Sequence, residues 1–377
     1  VRKKIVFLTG TRADYGKIKP MLKVIHDSKE FRSLVFVTGM HLQERFGNTY
    51  KEVLRDGLGK IFCDDDYCDD RRMDVAVSNA IRNFSRFVRR KKPDMVVVHG
   101  DRLEALAGAI VGGFNNILVA HIEGGEVSGT IDESIRHGVS KFAQLHFVAN
   151  KEAKRRLVQL GELENKIFVI GSPDVDVMLS EDLPSLEQVR ERYGILFPKF
   201  GILLYHPVVT EIEQVPEQAS TVVNALKASG HNYVGIYPNN DRGHEYIRRA
   251  YEKVSAHDAF QFFPSMRFEH FLSLLKSAQF IIGNSSAGIR EACVYGTPAV
   301  DIGSRQQARY DPKVLKNVIH VEHDEQEILE AIARAAQHRY SCTHFGAGGS
   351  AEAFYQILCT GEIWDTPWQK CFVDIDF

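Results

Sequence analysis

The sequence predicts an α/β fold built on two parallel sheets, and three observations carry that expectation. Short runs rich in branched apolar residues alternate with helix-like stretches from the first residues onward. The alternation breaks once, in a polar stretch over 172–200 punctuated by Pro173, Pro184 and Pro198, and then restarts. The 377 residues also exceed what one hydrophobic core usually accommodates, so two domains are expected. Nearly continuous apolar strands separated by helices suit a sheet covered on both faces, where neither face meets water.

In the first half, KIVFLTG (4–10), SLVFVTG (33–39), DMVVVHG (94–100), NILVAHIEG (116–124) and LHFVAN (145–150) are strand candidates. The stretches 17–29, 72–91, 102–113 and 134–143 read as the helices between them, and KIFVIGSP (166–173) adds a strand ending in Gly-Ser-Pro. This gives a first domain over 1–172 and a linker over 173–185. The rhythm returns with FGILLYHPV (200–208), YVGIYPN (233–239), AFQFFPS (259–265), QFIIGNSS (279–286) and TPAVDIG (297–303), a second domain over 186–350. Residues 351–377 form a C-terminal segment whose helix, at 350–359, is expected to return to the first domain. Two such sheets facing one another would form a deep cleft, and open α/β sheets bind ligands beyond the carboxyl ends of their strands.

Composition narrows the function. The formal charge is −2, and the one basic run, RRKK at 89–92, reads as a solvated helix end, so no nucleic-acid partner is expected. No run of eighteen apolar residues suggests a membrane span, and KKIVFLTG is interrupted too soon to read as a secretory signal. The six cysteines, at 63, 68, 293, 342, 359 and 371, are scattered, which fits a reducing cytoplasm. Cys63 and Cys68 lie in an acidic CDDDYCDD segment that reads as a solvated loop, and no metal or nicotinamide requirement is visible.

The polar residues collect at strand ends. TGTRADYG (9–16) is neither a dinucleotide fingerprint nor a GxxxxGKS loop, and it reads as a tight turn presenting Arg12 to an anion. In GNSSAGIREACVYGTPAVDIGSRQ (283–306), Ser285 and Ser286 precede a helix start, Glu291 is placed for ribose hydroxyls, and Arg305 follows the next strand. Together they suggest a nucleoside-diphosphate site. HGDRLEALAG (99–108) puts His99 and Asp101 after an apolar strand, with Asp101 also a candidate helix cap. HIEGGEVSGTIDESIRH (121–137) crowds Glu123, Glu126, Asp132 and Glu133 against a buried strand, where carboxylates are costly unless paired or given a task. Converging carboxylates without metal-ligand spacing fit acid/base work on a polar ligand. His206 closes a strand before Pro207, and YPNNDRG (237–243) offers Asn240 for sugar or ribose hydroxyls.

TGTRADYGKIKPM, TGMHL, HGDRLEALAGA, HIEGGEVSGTIDESIRH, HPVVTE and GNSSAGIREA, in order over about 3–310, resemble the hydrolysing UDP-N-acetylglucosamine 2-epimerase family of sialic-acid and legionaminic-acid pathways. The resemblance implies an α/β fold of two Rossmann-like domains of the GT-B type facing across a deep cleft, with UDP bound largely by the second. It implies a UDP-sugar as partner, no cofactor, and a homo-oligomer, a dimer or tetramer. Carried onto this chain, it sets Asp101, Glu123, Asp132 and His206 around the sugar. Arg12, Ser285, Ser286, Glu291 and Arg305 would surround the nucleotide, and His41 and Arg102 match further active-site positions.

In such enzymes UDP is eliminated to leave 2-acetamidoglucal, and water then adds with inversion at C2 to give N-acetylmannosamine. Glu123 and Asp132 are expected as the acid/base pair, Asp101 as an electrostatic or proton-handling partner, and His206 as orienting or neutralising the diphosphate. Related enzymes act on UDP-2,4-diacetamido-2,4,6-trideoxyglucose or on a GDP-linked amino sugar. The same motifs leave room for a non-hydrolysing 2-epimerase, a GT-B glycosyltransferase or a non-catalytic nucleotide-sugar-binding module.

Overall fold

The computed structural model describes residues 2–70, 72–128, 131–238, 241–307 and 309–374. In the first half, β1 (Lys3–Thr9), α1 (Arg12–Asp27), β2 (Phe31–Val37), α2 (Tyr50–Asp56), β3 (Lys60–Cys63), α3 (Met73–Lys91), β4 (Met95–His99), α4 (Leu103–Phe114) and β5 (Leu118–Ile122) alternate. They continue through α5 (Ile131–Phe142), β6 (Leu145–Val148), α6 (Lys151–Gln159), β7 (Ile167–Val169) and α7 (Pro173–Met178). The second half holds α8 (Leu186–Tyr193), β8 (Gly201–Leu204), α9 (Val215–Ala228), β9 (Tyr233–Ile236), α10 (His244–Glu252), β10 (Phe260–Phe263), α11 (Phe268–Ser277) and β11 (Ile281–Gly283). After these come α12 (Ser286–Ile289), α13 (Glu291–Tyr295), β12 (Ala299–Ile302), β13 (Val318–Val321), α14 (Glu325–Arg334) and α15 (Ser350–Cys359).

Seven strands form one sheet in the order β3-β2-β1-β4-β5-β6-β7, and six form another in the order β10-β9-β8-β11-β12-β13. Every pairing is parallel. Strand order reverses between β1 and β4 in the first sheet and between β8 and β11 in the second. At such a reversal the following helices pass to opposite faces and leave a crevice at the carboxyl ends, which is where ligands bind. Successive residues of one strand serve different cores. Ile5, Phe7, Val97, Ala120 and Ile122 belong to one buried cluster, while Val6, Leu8, Val96, Val98 and Val119 belong to another. Burial of each of the larger side chains among these contributes roughly 2 kcal/mol, and two-sided burial is why these strands read as unbroken apolar runs.

The chain divides into two compact units, one of Val1–Glu126, Ile131–Leu179 and Gly346–Phe377, the other of Val127–Thr130 and Ser180–Phe345. Helix α7 lies in the stretch read as a linker, and it belongs to the first unit. Helix α15 packs on that unit through Phe354, edge-on to Phe7 at 6.4 Å and to Phe147 at 4.8 Å between centroids. Its N-cap position is Gly349, which has no side chain to offer. Asp176 of α7 does the capping instead, accepting from the Ser350 N–H at 3.0 Å, the Ser350 hydroxyl at 2.9 Å and the Ala351 N–H at 2.8 Å.

The residues after α15 are tied down by a charge cluster around the buried Glu162. Lys370 Nζ donates to the Ala143 carbonyl at 2.7 Å and to Glu162, which also meets His146 Nε2 at 3.0 Å and Lys141 Nζ at 3.2 Å. Burial alone would raise the Glu162 carboxyl, but the hydrogen bonds from His146 and Lys370 outweigh it and hold the group at about 2. A folded-state value below the ordinary one stabilises the fold above the usual carboxylate range, and that stabilisation is lost as pH falls toward 2. Lys370→Met is therefore expected to cost about 2 kcal/mol at neutral pH. In thermal melts, its deficit against the parent chain is expected to narrow as the pH is lowered below about 4.5.

Two strands differ from the sequence expectation by being there at all. β3 ends in Cys63, inside the segment read as a solvated loop, and β13 follows a polar stretch. Both are four-residue edge strands; β3 has no fully buried residue, while β13 is a short VIHV run set behind the polar stretch. Among the described residues, no helix is long and apolar enough to cross a membrane.

Candidate active site

In the first unit the chemistry gathers where β4 and β5 end side by side, with the Gly100 N–H bonded to the Ile122 carbonyl at 2.9 Å. Glu123 follows at once, and its backbone is left-handed, with φ at 64°. That region costs a non-glycine residue about 1–3 kcal/mol and persists where surroundings enforce it. Here the Glu123 N–H bonds to the Phe147 carbonyl at 2.9 Å, and the chain then turns through two glycines. A Cβ on Gly125 would lie 2.3 Å from the Ala153 carbonyl oxygen, so only glycine fits.

The Glu123 side chain is buried, 6% exposed, and it sits in a relay. Its Oε2 meets His99 Nε2 at 3.1 Å, and His99 Nδ1 meets Asp14 Oδ1 at 3.1 Å. Its Oε1 is in hydrogen-bond contact with Ser172 Oγ, which also contacts Asp174 Oδ1. Lys17 Nζ then reaches Asp174 Oδ2 at 2.9 Å. Burial would lower His99, but its hydrogen bonds to Asp14 and Glu123 more than reverse this and push it up to about 9. At neutral pH it is an imidazolium between two carboxyls. His121 behaves oppositely: burial pushes it down to about 3, with Nε2 on the Gly100 carbonyl at 2.8 Å and Nδ1 on Ser140 Oγ at 3.0 Å.

Asp101 closes the β4 end and is paired with the buried Arg136 guanidinium, which also donates to the Glu126 carbonyl at 2.9 Å. Asp132 stands on the first turn of α5, one turn before Arg136, where a negative charge is favoured. Asp101 and Glu123 thus stand at adjoining strand ends, and Arg136 joins the β4 end to α5, on whose first turn Asp132 lies.

The other expected residues of this unit take different settings. Arg12 is the first residue of α1 rather than part of a tight turn, because Thr11 caps the helix by accepting from the Asp14 N–H at 3.1 Å. Its guanidinium Nε lies 3.0 Å from Glu52 Oε2. His41 is fully buried, with Nδ1 on Thr49 Oγ1 at 2.7 Å and Nε2 on Thr9 Oγ1 at 3.0 Å. Burial pushes it down to about 4, so it is a neutral post bracing the β1 end. Arg102 begins α4, with Nε 3.5 Å from Glu104 Oε2 and Nη2 3.6 Å from Met40 Sδ.

The second unit repeats the layout at its own reversal point. β11 ends at Gly283, whose φ is +135° and whose added Cβ would fall 2.1 Å from the Leu204 carbonyl oxygen. Asn284 then knits two strand ends together, its Oδ1 accepting from the His206 N–H at 2.7 Å and its Nδ2 donating to the His206 carbonyl at 2.8 Å. The Asn284 carbonyl receives Arg305 Nη1 at 3.0 Å and Gln306 Nε2 at 2.7 Å. Ser285 caps α12 through Ala287 N–H at 3.3 Å, with Ser286 next to it. Because α12 is only four residues long, the hydroxyls and the Arg305 guanidinium, rather than a long helix's dipole, are what this edge offers an anion. Glu291 opens α13 after a break at Arg290 and is 4% exposed, not the solvent-facing carboxylate that its sequence position allows. His206 is buried, and burial together with the positive charge of Arg305 lowers its basicity far below the ordinary value. A neutral ring can donate or accept one hydrogen bond at each nitrogen. Asn240 lies outside the described residues.

Sequence reasoning singled out His99 only as a strand-end residue and did not reach Asp14, Ser172, Asp174 or Lys17. The available signal was that "GSP" ends a strand just as the other polar motifs do.

The UDP-N-acetylglucosamine 2-epimerase family model matches residues 23–359. A protein of Neisseria meningitidis serogroup B described as UDP-N-acetylglucosamine 2-epimerase is 45% identical over 379 residues, covering 99% of this chain and 100% of that one. A UDP-N,N'-diacetylbacillosamine 2-epimerase (hydrolyzing) of Legionella pneumophila is 34% identical over 376 residues, covering 98% of this chain and 99% of the relative. The crystal structure of Methanocaldococcus jannaschii UDP-GlcNAc 2-epimerase in complex with UDP-GlcNAc and UDP aligns with a TM-score of 0.82 at 22% identity, covering 95% of this chain and 100% of that one. That likeness concerns the fold, two Rossmann-like α/β domains of the GT-B type. With a family match over most of its length and a relative at 45% identity across nearly all of it, the chain belongs to the UDP-N-acetylglucosamine 2-epimerase family.

Proposed function

We propose that this chain is a hydrolysing 2-epimerase that converts UDP-N-acetylglucosamine and water to N-acetylmannosamine and UDP. The observation that carries the reading is Glu123, a carboxyl held in a strained backbone at a strand end and wired to a charged histidine. Such an arrangement serves proton transfer better than it serves stability. The Legionella relative whose description includes "hydrolyzing" supports the water-consuming outcome.

The C2 hydrogen of the sugar has no neighbouring carbonyl to acidify it, so its loss must accompany departure of the diphosphate. Positive charge then develops at C1, which the carboxylates of Asp101, Glu123 and Asp132 stabilise, while Ser285, Ser286 and Arg305 take up the charge growing on the leaving phosphate. Glu123 and Asp132 are assigned the proton transfers of elimination and hydration. Asp101 orients Arg136 and adds negative potential. Glu291 is read as the ribose partner, with Arg12, Arg102 and His41 as substrate-side residues, His41 acting by bracing.

Incubation with UDP-N-acetylglucosamine alone is the test, followed by NMR of the products. UDP with free N-acetylmannosamine is expected. UDP-N-acetylmannosamine would mark a non-hydrolysing epimerase, and no turnover would leave transfer or binding. The Legionella relative also makes the UDP-linked diacetamido sugar the second substrate to try, and faster turnover of it than of UDP-N-acetylglucosamine would replace the substrate named here.

A further inference from the structure

Two cysteines far apart in sequence meet in the second unit. Cys293 lies on α13, and Cys342 lies in the segment that ends this unit at Phe345. That segment is held against α13 and its two ends at three points. A Cβ on Gly296, which follows α13, would lie 2.9 Å from the Ser341 backbone nitrogen. The Cys342 N–H donates to the Cys293 carbonyl at 2.9 Å. The Arg290 guanidinium, just before α13, sits over the Phe345 ring at 4.7 Å. A direct N–H···O=C bond between two residues keeps their α-carbons within the span that a disulfide bridges.

The two thiols differ in access and in character. Cys293 is fully buried, and its sulfur lies 3.1 Å from the Arg290 carbonyl and within hydrogen-bonding reach of Cys342. Cys342 is partly exposed. Its hydrogen bond with Cys293, helped by the His344 N–H, outweighs burial and holds it at about 6, while the same contact and burial push Cys293 up. At neutral pH this is a reachable thiolate beside a protonated, sheltered thiol. Reactive thiols with a second cysteine poised to resolve them have this form.

We propose that Cys293 and Cys342 are a modification site for low-molecular-weight disulfides, Cys342 attacking first and Cys293 closing an intramolecular bridge. In the first step the Cys342 thiolate attacks one sulfur of the small disulfide, forms a mixed disulfide and expels one small thiolate. That step also removes the neighbour that most strongly raises Cys293. The Cys293 sulfur then attacks the Cys342 sulfur and expels the second half of the small disulfide, which leaves with the Cys293 proton. The two cysteines are oxidised by two electrons, and the small disulfide is reduced to two thiols. The bridge fastens the last stretch of the second unit, just before the chain passes back at Gly346, to the helix that opens with Glu291. This chemistry is independent of whether the chain turns over UDP-N-acetylglucosamine.

Oxidised glutathione is the probe. The folded full-length chain is incubated with it at neutral pH, remaining thiols are alkylated, and peptides are mapped by mass spectrometry. A peptide pair linked through Cys293 and Cys342 is expected, and dithiothreitol should return both as free thiols. Recovery of both cysteines alkylated, with no link, overturns the proposal. Cys293→Ser cannot close the bridge and is expected to carry glutathione on Cys342. Cys342→Ser is expected to leave Cys293 unmodified, and glutathione on Cys293 in that variant overturns the order of attack. Should either variant fail to fold, the parent chain still decides the roles through its alkylation rate against pH. For Cys342 that rate should rise with a midpoint at about 6, against about 8.5 for an ordinary thiol. A midpoint in the ordinary range overturns Cys342 as the attacking thiol.

Discussion

Glu123→Gln is expected to lower kcat about 10³-fold, the middle of the range for losing a general acid or base. The substitution keeps size and shape, and the amide can still accept from His99 through its oxygen, so the left-handed turn and the β5 end should hold. What it removes is the capacity to take up and release a proton. Binding of UDP should change little, because Ser285, Ser286 and Arg305, the residues proposed to face the diphosphate, lie in the other unit. Steady-state rates with calorimetric titration of UDP separate the two quantities. If elimination and hydration differ in their need for Glu123, the glycal should accumulate and be visible by mass spectrometry. Near-parental turnover by this variant would remove Glu123 from the chemistry.

Gly283→Val should be the most damaging single change to the fold. Its Cβ would sit 2.1 Å from a backbone oxygen of the neighbouring strand, at φ +135°. Neither Leu204 nor Gly283 can step aside without breaking the β8–β11 pairing, in which the two residues face one another. Left-handed strain and steric overlap together are expected to cost about 3–5 kcal/mol. Urea titration followed by circular dichroism gives the number. Because Asn284, Ser285 and Ser286 follow directly, a variant that does fold should also bind UDP more weakly. Parental stability would mean that this strand end is laxer than its geometry indicates.

Most of the fold was legible because two-sided burial writes central strands as apolar runs, as in DMVVVHG and NILVAHIEG. Of the strands that escaped, Lys60–Cys63 is an edge with no fully buried residue, and Val318–Val321 is a four-residue run isolated behind a polar stretch. Helix starts were harder: Arg12 looked like a turn residue because the Thr11 cap acts through one side chain and leaves no periodicity. At the site, carboxylates next to glycines were visible as costly features in need of a purpose. Their partners were not, since Asp14, His99, Glu123 and Asp174 come from four elements and meet only once strand order is known. Local sequence cannot say whether a histidine such as His41 or His206 ends up neutral, because the desolvation that decides it comes from the assembled fold.

The second unit interrupts the first, which departs at Leu179 and is resumed only at Gly346. A ribosome delivers the chain in that order. While the interrupting unit emerges, the nascent first sheet waits with Phe7 and Phe147 uncovered and with Asp176 lacking the α15 end it is to cap. The later-made piece can therefore mature as a complete body before the earlier one does, reversing the usual N-to-C schedule of multidomain chains.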